Sequence, residues 1–103
     1  MIARIWRTGL DEGRAEEYDA FAVDRSLPMF RRQPGCRAVF FVRIKDGRAA
    51  ITFWQDLVTA EALTSSKDYL DTVEAILAAG FLRPPQSVEL LPVDQLWLAA
   101  DLV

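Results

Sequence analysis

Apolar and polar residues alternate from Ile2 to Arg7, with Ile2, Arg4 and Trp6 on one side and Ala3, Ile5 and Arg7 on the other, which predicts a first strand. The stretch Thr8-Gly9-Leu10-Asp11-Glu12-Gly13 breaks that alternation, and its acids suit the positive end of a following helix. From Arg14 the spacing of Tyr18, Phe21, Ala22 and Arg25 is helical; Pro28 is expected to interrupt or kink it and Pro34-Gly35 to end it. Cys36 to Ile44 is the strongest strand signal. It sets Ala38, Phe40, Val42 and Ile44 on a wholly apolar face, and Arg37, Val39, Phe41 and Arg43 on the other. Asp46-Gly47 predicts a two-residue hairpin loop, and counting outward from it pairs Lys45 with Arg48, Phe40 with Phe53, Val39 with Trp54 and Arg37 with Asp56.

Beyond Leu57 a short helical turn at Thr59 to Leu63 is followed by a cap at Ser65 or Ser66. The helix after it carries an apolar stripe of Tyr69, Leu70, Val73, Ile76 and Leu77 and stops at Gly80. Pro84-Pro85 forces extended backbone, Ser87 to Val93 reads as a last strand, and residues 94–103 form an apolar tail. The order β-α-β-β-α-β is that of an α+β, ferredoxin-like sheet with two helices on one face. Residues 1–103 then make a single domain. The face bearing Phe41, Val39, Trp54 and Trp6 is expected to lie away from the helices, and so much open apolar surface calls for a partner sheet. Leu96, Trp97, Leu98, Leu102 and Val103 are expected to dock on the body or on that partner.

Composition narrows the chemistry. The chain has 103 residues, a net charge of −3, one cysteine (Cys36) and no histidine. An internal disulfide, a Cys/His zinc site, a His-dependent triad and histidine ligation of haem are therefore excluded. The acidic balance argues against a nucleic-acid partner. No apolar run reaches the roughly 18 to 20 residues of a membrane span, and no apolar leader opens the chain, so a cytoplasmic protein is expected. The five glycines are scattered, without the glycine-rich turn that binds a flavin or nicotinamide dinucleotide. Charge is uneven: residues 1–50 hold ten Lys/Arg and seven Asp/Glu, and the remainder two and eight. That is either ordinary solvated charge or an arginine-rich sheet surface meeting acids or an anionic ligand.

The opening Met1-Ile2-Ala3-Arg4-Ile5-Trp6-Arg7, Tyr18 and Phe21, Pro34-Gly35-Cys36 and Thr52-Phe53-Trp54 together resemble the antibiotic biosynthesis monooxygenase domain family, from residue 1 to about residue 80. The resemblance implies a dimeric α/β barrel, in which two such sheets pack face to face. It implies membership among cofactor-independent monooxygenases of aromatic polyketides, haem-degrading enzymes and small proteins without assigned activity. The haem-degrading branch uses an asparagine, a tryptophan and a histidine. Here Trp6 stands in the asparagine's place and no histidine exists, so that activity is set aside. The family's usual acid-serine pair after the tryptophan is replaced here by Gln55-Asp56.

Oxygenation without metal, haem or flavin needs a substrate that can become an electron-rich anion, a group that holds the anion, and a dry pocket. Trp54 and Trp6 are candidates to line that pocket, with Phe41 and Arg37 beside them as further substrate-binding residues; as strand residues, the tryptophans equally suit the core. Arg43, Arg4 and Tyr69 are the candidate catalytic set. Asp56 is expected to neutralise Arg37, which leaves Arg43, or else Arg4, to hold an enolate or phenolate. Tyr69 offers a hydroxyl to a substrate oxygen, or simply packs with its hydroxyl outward. Cys36 lacks a base and a second cysteine, and reads as a small buried residue at a strand start. The expected protein is a homodimeric, cofactor-free and metal-free monooxygenase acting on a small aromatic or polyketide-like molecule. The alternative is a non-catalytic dimeric binding or regulatory module whose pocket is filled by side chains.

Overall fold

The structure, a computed structural model, describes residues 1–102. Strands β1 (Ile2–Leu10), β2 (Cys36–Ile44), β3 (Gly47–Trp54) and β4 (Leu82–Pro92) form one antiparallel sheet in the order β2-β3-β1-β4. All helical segments pack on one face: α1 (Ala15–Phe21), α2 (Leu27–Arg31), α3 (Leu57–Ala62) and α4 (Lys67–Ala79). This is the ferredoxin-like α+β architecture expected from the pattern. No helix among the described residues is long and apolar enough to cross a membrane.

Several boundaries differ from the sequence reading for local reasons. β1 continues through Thr8, Gly9 and Leu10 because both neighbours take up its backbone, Gly9 lying opposite Gly47 on β3 and Arg83 on β4. The chains approach so closely there that a Cβ on Gly47 would run into the Thr8 carbonyl. Gly47 therefore serves close approach and belongs to β3; the loop is Lys45-Asp46, with Asp46 in the left-handed region at φ 63°. The hairpin register moves accordingly. Phe40 faces Ile51, Val39 faces Thr52, and a bulge after Cys36 leaves Arg37 outside the pairing. Phe40 still meets Phe53 diagonally, with ring centroids 5.9 Å apart at 84°.

Pro28 does not stop the first helix. The turn directly ahead of it, Ala22–Ser26, widens to a π helix, and α2 restarts with the proline in its first turn, where no N–H is needed. α3 begins earlier than expected, capped by Asp56, which accepts from the Thr59 amide at 2.9 Å and so does not pair with Arg37. Ser66 caps α4, and Gly80 ends it at φ 82°. Leu70 and Leu77 are about half exposed, so the buried stripe of α4 is narrower than the spacing suggested. β4 starts at Leu82, earlier than Ser87, because an edge strand tolerates Pro84 and Pro85.

The main correction concerns which face is covered. Val39, Phe41, Trp54 and Trp6 pack under the helices, where they were expected on the open side. The outward face carries Phe40, Val42 and Ile44 of β2 with Ile5, Ile51 and Phe53; Phe40 is 45% exposed. Two clusters make up the core. One gathers Ile2, Met29, Phe30, Trp54 and Leu63, the other Leu10, Tyr18, Ala22, Ile76 and Phe81. The tail does not settle on the chain's own body: Trp97 is 82% exposed and Leu96 and Leu98 are also open to solvent. The side chain of Leu102, and Val103 as a whole, lie outside the described residues.

Candidate functional site

Arg4 sits mid-way along β1, between Thr52 of β3 and Leu90 of β4, on the face covered by helices. It is only 2% exposed. Its Nη2 donates to the Tyr69 hydroxyl at 2.9 Å, and the guanidinium carbon lies 5.3 Å from the centre of that ring. Tyr69 occupies the first turn of α4, its amide held by the Ser66 hydroxyl at 3.3 Å. Arg48, the other buried arginine among the described residues, finds a carboxylate, as do the more exposed Arg32 and Arg7. Arg48 meets Glu12 at 3.1 Å, Arg32 meets Asp68 through two bonds of 2.8 and 2.9 Å, and Arg7 meets Glu89 at 2.8 Å. No carboxylate lies within 4.0 Å of Arg4 among the described residues. A buried cation served by one neutral hydroxyl is costly unless something else answers its charge.

Beside Arg4 lies a cavity of about 180 Å³ between sheet and helices, where the two core clusters fail to merge. Met29 and Phe30 wall it from one cluster and Ile76 from the other, while Phe41, which touches both, and Trp6 form the floor on the sheet. Polar groups are few: Arg4 and Tyr69, Thr72, Ser26 and, near the β4 edge, Gln86. Thr72 is spoken for by the Asp68 carbonyl at 2.8 Å, and the Gln86 amide donates to Thr8 at 3.1 Å. Among the described residues no Asp or Glu lines the cavity. Among the described residues no three Asp, Glu or Cys side chains stand close enough to hold a metal ion.

Four of the seven residues singled out from sequence meet here: Arg4, Tyr69, Trp6 and Phe41. Trp54 does not. It is fully buried in the first cluster and its indole N–H is satisfied by Thr52 at 2.8 Å, so it supports the floor without facing the cavity. Arg43 lies exposed near the hairpin end of β2, outside the cavity wall. Arg37 is exposed, donates to Gln55 at 2.6 Å and borders a separate hollow beside Leu27 and Cys36. Burial pushes the Cys36 thiol pKa up, away from a reactive thiolate. Ser26 was missed. Tyr18, Ala22 and Ser26 follow at intervals of four, a signal that one helix face carries all three; the π turn then brings Ser26 to the cavity.

No protein-family model matches the chain, and no curated protein matches its sequence. Solved structures do match. SnoaB, a cofactor-independent oxygenase from Streptomyces nogalater, superposes with a TM-score of 0.72 at 20% identity, covering 92% of this chain and 94% of that one. An antibiotic biosynthesis monooxygenase superposes with a TM-score of 0.72 at 15% identity, over 92% of this chain and 100% of the other. The fold is that of the antibiotic biosynthesis monooxygenases. Rv0793 from Mycobacterium tuberculosis shares it as well, with a TM-score of 0.71 at 18% identity over 91% of this chain and 96% of that one. Within this antibiotic biosynthesis monooxygenase fold the cavity lies on the helix-covered side of the sheet, with Arg4 as its buried charge.

Proposed function

We propose that the protein is a cofactor-independent monooxygenase of a small aromatic molecule, working as a homodimer in the cytoplasm. The observation that carries this reading is Arg4: a buried guanidinium with no carboxylate partner among the described residues, facing an apolar cavity of about 180 Å³. Such a group favours the ionised form of a substrate hydroxyl, and the anion is the species that gives electrons to oxygen. The proton leaves to solvent through the cavity mouth, since no side-chain base lines the wall among the described residues. A carbon of the anion that bears hydrogen bonds to one atom of oxygen, the peroxide takes a proton, and loss of water breaks the O–O bond. One oxygen atom remains on the substrate as a new carbonyl, and the electrons come from the substrate alone. Arg4 and Tyr69 hold the negative oxygen while Trp6 and Phe41 face the ring and exclude water. Kinship of fold with a cofactor-independent oxygenase supports the reading.

The outward sheet face, with Phe40 and Ile44 open to solvent, supports the dimer, as does the exposed tail. The lone cysteine is in keeping with the cytoplasm. Oxygen uptake by the purified protein with hydroxyarene substrates, in the presence and absence of a chelator, tests the activity. Consumption that persists with chelator is expected; consumption abolished by it overturns the cofactor-free reading. The missing base also suits a binding module, and tight binding with no oxygen consumed assigns the protein to that class.

A further inference from the structure

We infer that the cavity takes a one- or two-ring hydroxyarene bound as its anion, with Arg4 and Tyr69 on the ionised oxygen and the Ser26 hydroxyl meeting a second polar group. This rests on reading the cavity as the substrate site, and it narrows that site to one class of ligand. Size is the first argument. An apolar cavity of roughly 150 Å³ holds one benzene, so the 180 Å³ present here encloses a single ring. A second fused ring fits only by reaching toward the mouth, where Val88 and Leu77 are half exposed. A third fused ring would stand outside the mouth, in solvent, and gain nothing from the apolar walls.

Charge is the second argument. The Tyr69 hydroxyl accepts from Arg4 and its own hydrogen has no acceptor among the described residues, so a guanidinium N–H and a phenol O–H both remain to be met. Two donors of different kinds converging beside one another match a single negative oxygen. A carboxylate would ask for the parallel N–H fork, one arm of which is already given to Tyr69. Ser26 is the third argument. It is buried on the helix side of the cavity at the end of the π turn, and its hydroxyl makes no hydrogen bond among the described residues. An otherwise apolar wall with one free hydroxyl selects a ligand polar at two places.

Binding can be read without turnover. Under anaerobic conditions, the absorbance of 4-nitrophenol and the fluorescence of 1-naphthol report both affinity and ionisation. Titrated across each ligand's own pKa, the anion is expected to bind about tenfold more tightly than the neutral form, which lowers the ligand's apparent pKa by about one unit. Arg4→Met should weaken both about 10- to 100-fold and abolish the shift. Tyr69→Phe, which removes one oxygen only, serves if the first variant does not fold. Ser26→Ala should weaken 1,5-dihydroxynaphthalene about 3- to 10-fold while leaving 1-naphthol unchanged. Naphthalene binding as tightly as 1-naphthol, 1-naphthoate displacing it, or 2-hydroxyanthracene binding more tightly than 1-naphthol would each overturn the inference. Anionic binding without oxygen consumption leaves the inference standing and removes the monooxygenase reading. Oxygen consumption with a three-ring substrate and no naphthol binding does the reverse.

Discussion

Replacing Arg4 with methionine separates a functional arginine from a structural one. The variant loses one hydrogen bond from a charged donor, the 2.9 Å contact to Tyr69, worth about 1.5 to 3 kcal/mol. It also loses the guanidinium over the Tyr69 ring at 5.3 Å, worth about 1 kcal/mol. Against these stands relief from burying a cation that no carboxylate answers, several kcal/mol by general experience. Methionine is long and flexible enough to fill the space along the strand. Folding stability is therefore expected to change by no more than about 1 kcal/mol in either direction. Removing a paired buried charge would instead cost about 3 to 5 kcal/mol. Turnover should behave oppositely and fall about 100- to 1,000-fold, as when one oxyanion donor is removed. Urea unfolding followed by fluorescence gives the first quantity, and oxygen uptake at saturating substrate gives the second. A loss of 3 kcal/mol or more with activity intact per folded molecule would show that Arg4 is a structural tie and refute the reasoning.

Other expectations follow from separate parts of the molecule. Phe40→Asp places a carboxylate on the outward face without a partner, so sedimentation should show a monomer where the parent is a dimer; a parent that sediments as a monomer refutes the interface. Deleting residues 94–103 should loosen the dimer while leaving the unfolding of the single chain within about 1 kcal/mol, because Trp97 and its neighbours cover nothing on their own body. Burial raises the Tyr18 hydroxyl pKa from 10.0 to about 12. Since the unfolded chain ionises first, stability is complete below pH 10 and falls by about 2 kcal/mol as the pH climbs to 12, a slope that Tyr18→Phe should abolish. Gly47→Ala should destabilise by about 2 kcal/mol or more through collision with the β1 backbone, against the small effect expected if Gly47 were merely a loop residue.

The order of elements, the limits of β2 from Cys36 to Ile44, the Ser66 cap and the Gly80 stop are all legible from the chain, because each rests on spacing or backbone preference within a few residues. Arg4, Tyr69 and Trp6 could be picked out for the same kind of reason, as charged or amphipathic groups on largely apolar faces, and Phe41 as an aromatic neighbour on the same sheet. The choice of face was not legible. β2 carries large apolar residues on both sides, and a period of two states that faces alternate without saying which one the helices cover. The arginines misled here, since Arg37 and Arg43 share a face of β2 with Val39 and Phe41, and Arg4 a face of β1 with Trp6, which suggests an open surface until Tyr69, distant in sequence, arrives to receive Arg4. The hairpin register depended on Gly47 pressing against Thr8 of β1, a contact that no reading confined to the hairpin contains. The cavity, too, exists only in three dimensions. It is the gap left where two clusters built from opposite ends of the sheet stop short of each other, and its free hydroxyl comes from a widened turn placed just ahead of a proline. Local preferences determine which segments become strands and helices; close packing between segments far apart in the chain decides what those segments enclose.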